Sequence, residues 1–318
     1  LVLRLRPGQP PLDGPDGARL ERLAFDEVRK LCELAPLVAA GAPTDLTLQR
    51  RALDHAGRAR WRNLDGEEKR EVAARYVEAA DRALAAAPED VELQLLRCEQ
   101  LIRADRARDC LAAAEVLLAV TGTLTPEQRG RAHYWRGHGR YRSGRVRDSI
   151  PDFDATLELV PSLLPTYFWR ARARWAVRQA RPALDDAHAF LLLVDGRFEA
   201  FHVYYPFAAM IAWAAARKLD DVPLILRGLE RMVDCFSGPD HAGWRLRLGY
   251  ARLRAGEVDL ARAELERALP LVRRNGRIRA LAAQVEAVLA APPAQTLAKA
   301  KALIDALEAK RGANSPVP

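Results

Sequence analysis

Arg131–Pro161, RAHYWRGHGRYRSGRVRDSIPDFDATLELVP, reads as two short helices joined by a tight turn at Ser143-Gly144. Gly suits the left-handed backbone that such a turn demands. Gly137, Ser149 and Thr156 are small where two helices must touch, Phe153 is the large apolar residue between them, and Pro161 closes the unit. Apolar positions recur at helical spacing, with no strand alternation after the first few residues of the chain.

Worn copies of this pattern lie on either side. Upstream, Asp65 opens a helix that runs to Pro88, and Val91 to Gly122 forms a fuller unit. Its first helix carries Val91, Leu95, Cys98 and Leu101; its second carries Cys110, Ala113, Ala114, Leu117 and Leu118. Thr125-Pro126-Glu127 supplies a cap and a first-turn proline for the next helix. Downstream, Pro165–Asp195 keeps Ala171, Ala183 and Ala187, but its turn, Gln179-Ala180-Arg181-Pro182, has no Gly. Phe198–Phe236 is the most divergent unit, and Gly243–Leu271 returns to the pattern through Gly249, Gly256, Ala261, Leu265 and Ala268.

Small, turn-Gly, small, aromatic, small, Leu and Pro at these intervals resemble the tetratricopeptide repeat, a helix–turn–helix unit of about 34 residues. The resemblance spans roughly Glu67–Leu271 and is clearest around Gly137 and Gly249. Ser149 and Thr156 stand where the family has alanines, and the helix-A tyrosine position falls on Arg140, beside Tyr141. The resemblance implies an all-α, right-handed superhelical solenoid of antiparallel helix pairs. The expected organisation is an extended leader over 1–17, N-terminal helices over 18–65, repeats over 66–274, capping helices over 275–312 and a tail over 313–318. The chain opens on Leu1 and a Pro/Gly-rich stretch, so an unusual start or a piece of a longer protein is expected.

Composition is that of a soluble globular chain, with 318 residues, 49% hydrophobic and 29% charged. The longest apolar run, Phe207–Ala216, is too short to span a membrane. Cys32, Cys98, Cys110 and Cys235 lack metal or disulfide spacing, so buried thiols in a reducing, cytoplasmic setting are expected. No cofactor is implied.

Net charge, +8 overall, is −2 over residues 1–120, +7 over 121–182 and +3 over 183–318. Arg136 and Arg140, and Arg170, Arg174 and Arg178, sit about one turn apart. Two readings stay open: a basic dock for an acidic peptide, carboxylate or phosphate, and a solvated face. Aromatics gather in the same units. The resemblance places a ligand groove along the first helices, with Tyr134, His138, Tyr141, Arg142, Phe168, Arg172 and Trp175 as its lining, followed by Tyr205 and Arg254. Rings would anchor a partner and guanidinium groups would orient it. Asp152 with Asp154, and Asp185 and Asp186 with His188, are weighed as metal or acid–base sets and set aside: the first pair suits a helix start and the second lacks a third ligand. No P-loop, HExxH, nucleophile elbow or GxGxxG occurs.

The expected function is a non-enzymatic scaffold binding a protein or peptide, possibly acidic. The alternatives are a regulatory module of a larger kinase or protease, and a basic nucleic-acid-binding helical repeat.

Overall fold

A computed structural model describes residues 66–119, 124–194, 204–235 and 241–310. The leader, the helices expected before residue 66, Cys32, Gly122 and the tail lie outside the described residues. Thirteen α-helices and one short 3₁₀ turn make up the described chain, and there is no strand among these residues. Two compact units divide it, one ending at Gly144 and the other beginning at Arg145.

The first unit holds α1 (Gly66–Ala86), α2 (Val91–Arg103), α3 (Ala107–Ala119) and α4 (Pro126–Arg142). Asp90 caps α2 by accepting from the amides of Glu92 and Leu93. Thr125 and Gln128 form a reciprocal capping box on α4, with Pro126 in the first turn. Each helix packs on the next, and α2 also lies against α4, so the first helices of successive pairs are neighbours. Glu92 on α2 fixes that register by accepting from Gln128 at 3.1 Å and Arg131 at 2.7 Å. Cys98 and Cys110 are buried thiols facing each other across the α2–α3 pair. A hydrogen bond to Cys98, then burial, pushes the Cys110 thiol far above its ordinary range, so it stays protonated and inert.

The second unit holds α5 (Val146–Leu159), α6 (Pro165–Ala176), α7 (Ala180–Leu193), α8 (Tyr205–Leu219), α9 (Val222–Cys235), α10 (Ala242–Arg254), α11 (Val258–Arg274), α12 (Ala282–Leu289) and α13 (Pro293–Lys310). Its helices also pack in chain order, with α6 against α8 and α13 returning onto α10. Ser149, Phe153 and Thr156 of α5 are fully buried. The two hydroxyls fit apolar surroundings because each donates back to its own helix, Ser149 to the Val146 carbonyl at 2.6 Å and Thr156 to that of Asp152 at 2.8 Å. Pro151 and Pro270 lie inside α5 and α11, which continue through them.

The turns within the helix pairs repeat more faithfully than the sequence does. Asp105, Gly144, Arg178, Asp220 and Gly256 all have positive φ, between 54° and 84°, at intervals of 39, 34, 42 and 36 residues. Each donates its amide three residues back, as in Asp105 to Ile102 and Arg178 to Trp175. At Arg106, Gln179, Asp221 and Glu257 the following amide reaches five residues back. That pair of bonds is the Schellman closure of a helix end. Two of these turns are tied to the next pair: Arg142 donates to Asp105 at 2.6 Å, and Arg254 to Asp220 at 2.7 Å. In both ties the arginine stands two residues before its own left-handed residue.

Candidate functional site

Within the first unit, Tyr134 and His138 are buried, at 6% and 4% exposure. Tyr134 meets Trp135 edge-on at 4.8 Å, and His138 lies 5.5 Å from Tyr134 and 5.9 Å from Trp135. These two side chains are core, and the expectation that they line a groove is corrected. Large first-helix residues are needed to fill the space between neighbouring helices, which takes them out of reach of a ligand. Tyr141 is half-buried, and Arg142 is exposed while engaged with Asp105.

The second unit corrects two more. Phe168 is buried at 2% exposure, against Trp169, Phe190 and Tyr204. Tyr205 is buried as well. Arg172 and Trp175 remain half-buried on α6, with the Arg172 guanidinium 5.2 Å from the Trp169 ring centre. Arg254 is partly exposed and engaged with Asp220. The side chains that stay at the surface among those expected are therefore Tyr141, Arg142, Arg172, Trp175 and Arg254.

The arginine excess has a use the sequence did not show. Asp186 on α7 is buried and accepts from Arg170 at 2.6 and 3.0 Å and from Arg174 at 2.9 Å. Asp154 on α5 accepts from the same two arginines at 2.7 and 3.1 Å. The α6 guanidinium groups are thus clamped between carboxylates of the second helices on either side. Burial pushes the Asp186 carboxyl up, against the pull of Arg170 and Arg174. Burial also works against the charge on Arg170, yet Asp186 and Asp154 hold that guanidinium above its ordinary value. Similar clamps join Arg245 and Arg267 to the buried Glu264, and Arg252 to Glu230. Arg170 and Arg174 are neutralised in place, so they do not form the open basic dock that their spacing suggests. Asp152 and Asp154 lie in the middle of α5, not at its start. Asp185 pairs with Arg181, apart from Asp186.

A second buried ionic contact secures α13. Arg247, at 5% exposure, lies between the Trp213 and Trp244 rings, 5.4 and 4.9 Å from their centres. It donates to Glu308 at 2.9 Å and to the Gly243 carbonyl at 3.0 Å. Among the described residues no group of His, Cys, Asp and Glu is placed to hold a metal ion, and no helix is long and apolar enough to cross a membrane.

The stacked pairs, their first-helix neighbours and the five recurring left-handed turns decide the architecture. The fold is a divergent tetratricopeptide-like helical repeat. No family model matches the sequence, and no curated protein does. Among solved structures, BtubC (BKLC) from P. vanneervenii is similar at 15% identity, over 66% of this chain and 91% of that one, with a TM-score of 0.46. A Podospora anserina putative kinesin light chain with nearly identical tetratricopeptide-like repeats matches at 15% identity, over 60% of this chain and 98% of that one, at 0.44. The APC/C hetero-tetramer Cut9-Hcn1 matches at 12% identity, over 85% and 57%, at 0.32. Asp105, Arg178 and Asp220 do not read as turn residues in the sequence, since their types give no turn signal beyond the mild tolerance of Asp for the left-handed region.

Proposed function

We propose that this chain is a non-catalytic scaffold that holds a protein or peptide on the exposed ends of its first helices. One observation carries the reading: large aromatic and cationic side chains stay partly exposed shortly before three of the five left-handed turns. Tyr141 and Trp175 each stand three residues before a left-handed residue, and Arg172 and Tyr250 each stand six before one; all four are half-buried. Half-buried rings beside guanidinium groups are preorganised anchors, since their own helix fixes them while one face stays available.

Within the second unit the test falls on α6. Arg172→Glu with Trp175→Ala is expected to remove captured partners in an affinity pull-down read by mass spectrometry. Circular dichroism and melting temperature should stay close to wild type. An unchanged set of captured proteins would eliminate this surface. Nucleic acid is the less favoured ligand, because Arg170 and Arg174 already spend their charge on Asp154 and Asp186.

A further inference from the structure

Cys98 on α2 and Cys110 on α3 belong to one buried cluster with Val77, Leu101 and Ala114, at 1% and 0% exposure. The Schellman turn at Asp105 folds the two helices back on each other, and the cysteines stand six residues to either side of Ala104. Residues twelve apart hold the same places in other pairs: Gly137 and Ser149, Ala171 and Ala183, Gly249 and Ala261. These are the small positions at which paired helices come close. A Cβ on Gly249 would stand 3.3 Å from the Ala261 carbonyl oxygen. Burial at such a place asks only for a small side chain, which Gly, Ala and Ser supply elsewhere; here sulfur stands on both helices. A hydrogen bond joins the two thiols. Cys110 gives its own hydrogen to the Trp135 carbonyl of α4, at 3.5 Å, so Cys98 is the donor and its S–H is directed at the Cys110 sulfur.

We infer that Cys98 and Cys110 are an oxidation site, at which hydrogen peroxide converts the two thiols to a disulfide that staples α2 to α3. A disulfide needs opposed Cα atoms no more than about 7 Å apart, which close-packed small positions provide. Neither thiol reacts while the helices stay packed, since both are shielded and a thiol must ionise to become a nucleophile. Reaction therefore follows local opening of the pair. One thiolate attacks a peroxide oxygen, the O–O bond breaks, and the sulfur becomes a sulfenic acid while hydroxide leaves and is protonated to water. As the helices close, the second sulfur loses its proton and attacks the sulfenic sulfur. The S–S bond forms, the S–O bond breaks, and a second water departs. Two thiols are oxidised and one peroxide is reduced to two waters. The packed partner makes this second step intramolecular, ahead of further oxidation to a sulfinic acid.

The test uses the full chain, treated with hydrogen peroxide at neutral pH, alkylated in urea and digested with trypsin. Mass spectrometry is expected to find Cys98–Arg103 and Asp109–Arg129 as one linked peptide that outweighs every other pairing and is lost after dithiothreitol. The chain unfolded in urea before treatment should give a mixture of pairings. Cys32→Ser with Cys235→Ser should leave the linked peptide in place. The oxidised chain should melt at a higher temperature than the reduced one and return to it with reductant, because the bond restricts the unfolded chain. The wild-type peptide map requires no altered cysteine, so it stands whether or not the variant folds. Absence of the linked peptide from the folded chain, sulfinic acid accumulating at either cysteine, or the same mixture from folded and unfolded chains would overturn the site. A melting temperature lowered by oxidation would do so too, since it would mean that the two helices do not hold the sulfurs where the bond needs them.

Discussion

At Arg178 the backbone asks for glycine and the sequence supplies the longest cation. A non-glycine residue held left-handed costs about 1 kcal/mol or more, so Arg178→Gly is expected to raise stability by about 1 kcal/mol, read as a higher urea midpoint. Asp220→Gly should gain less, because the same change severs the tie to Arg254, an exposed pair contributing at most about 1 kcal/mol. Equal gains at the two sites would show that the tie contributes nothing. Gly144 and Gly256 announced their turns in the sequence; Asp105, Arg178 and Asp220 did not, since an Arg or Asp in a helical pattern looks like surface. Histidines give the residue scale a pH dependence. Burial, then Arg227, lowers the His188 pKa, and burial, then Arg245, lowers that of His241. A depressed histidine binds fewer protons folded than unfolded, so its contribution to stability falls as pH drops through the unfolded value near 6.5. Asp186, raised by burial, acts with the opposite sign. The informative quantity is therefore the difference between variants. From about pH 7.5 to about pH 5.5, wild type should lose more melting temperature than His188→Gln with His241→Gln.

Between elements, glycines make close approaches, with unequal tolerance. A Cβ on Gly139 would stand 3.0 Å from the backbone N and Cα of Leu111, so α4 and α3 would have to separate. On Gly249 it would stand 3.0 Å from the Leu265 side chain, which can turn aside, and 3.3 Å from the Ala261 carbonyl. Gly139→Ala should therefore cost about 1–3 kcal/mol. Gly249→Ala should come out close to neutral, because better helix propensity, about 1 kcal/mol, offsets the crowding. Thermal melts of the two variants give the comparison, and a larger loss at Gly249 would contradict it. The sequence located Gly249 as a contact and placed the contact of α4 at Gly137. Both Gly137 and Gly139 are buried; only packing geometry identifies Gly139 as the residue that meets Leu111. Helix pairs were legible because their signals are local: small residues, caps and turn glycines. The groove lining was less so, because periodicity puts Tyr134, His138, Phe168 and Tyr205 on a face without saying whether a neighbouring helix covers it.

Across the molecule the same limit governs charge. An excess of +7 over residues 121–182 suggests an open basic surface, yet Arg170 and Arg174 meet carboxylates contributed from α5 and α7, 12 to 20 residues away in sequence. Sequence spacing shows the arginines of one helix together and leaves their partners on other helices unseen. In this fold such clamps do part of the joining that apolar residues do elsewhere, and a buried clamp fails asymmetrically. Asp186→Ala leaves two half-buried guanidinium groups with only Asp154, which is itself 46% exposed. The expected loss is about 3–5 kcal/mol, as for a buried pair deprived of one partner. Asp154→Ala should cost much less, because Asp186 would still hold both arginines away from water. Helices of the second unit touch mainly their near neighbours along the chain, so the damage should be graded and not uniform. Hydrogen exchange on Asp186→Ala is expected to show protection lost first in α6 and α7, then in α5 and α8, with α11 to α13 the last to follow. Uniform loss through the unit would mean that it unfolds as one block, and the clamp would then support a single cooperative core instead of a chain of neighbouring pairs.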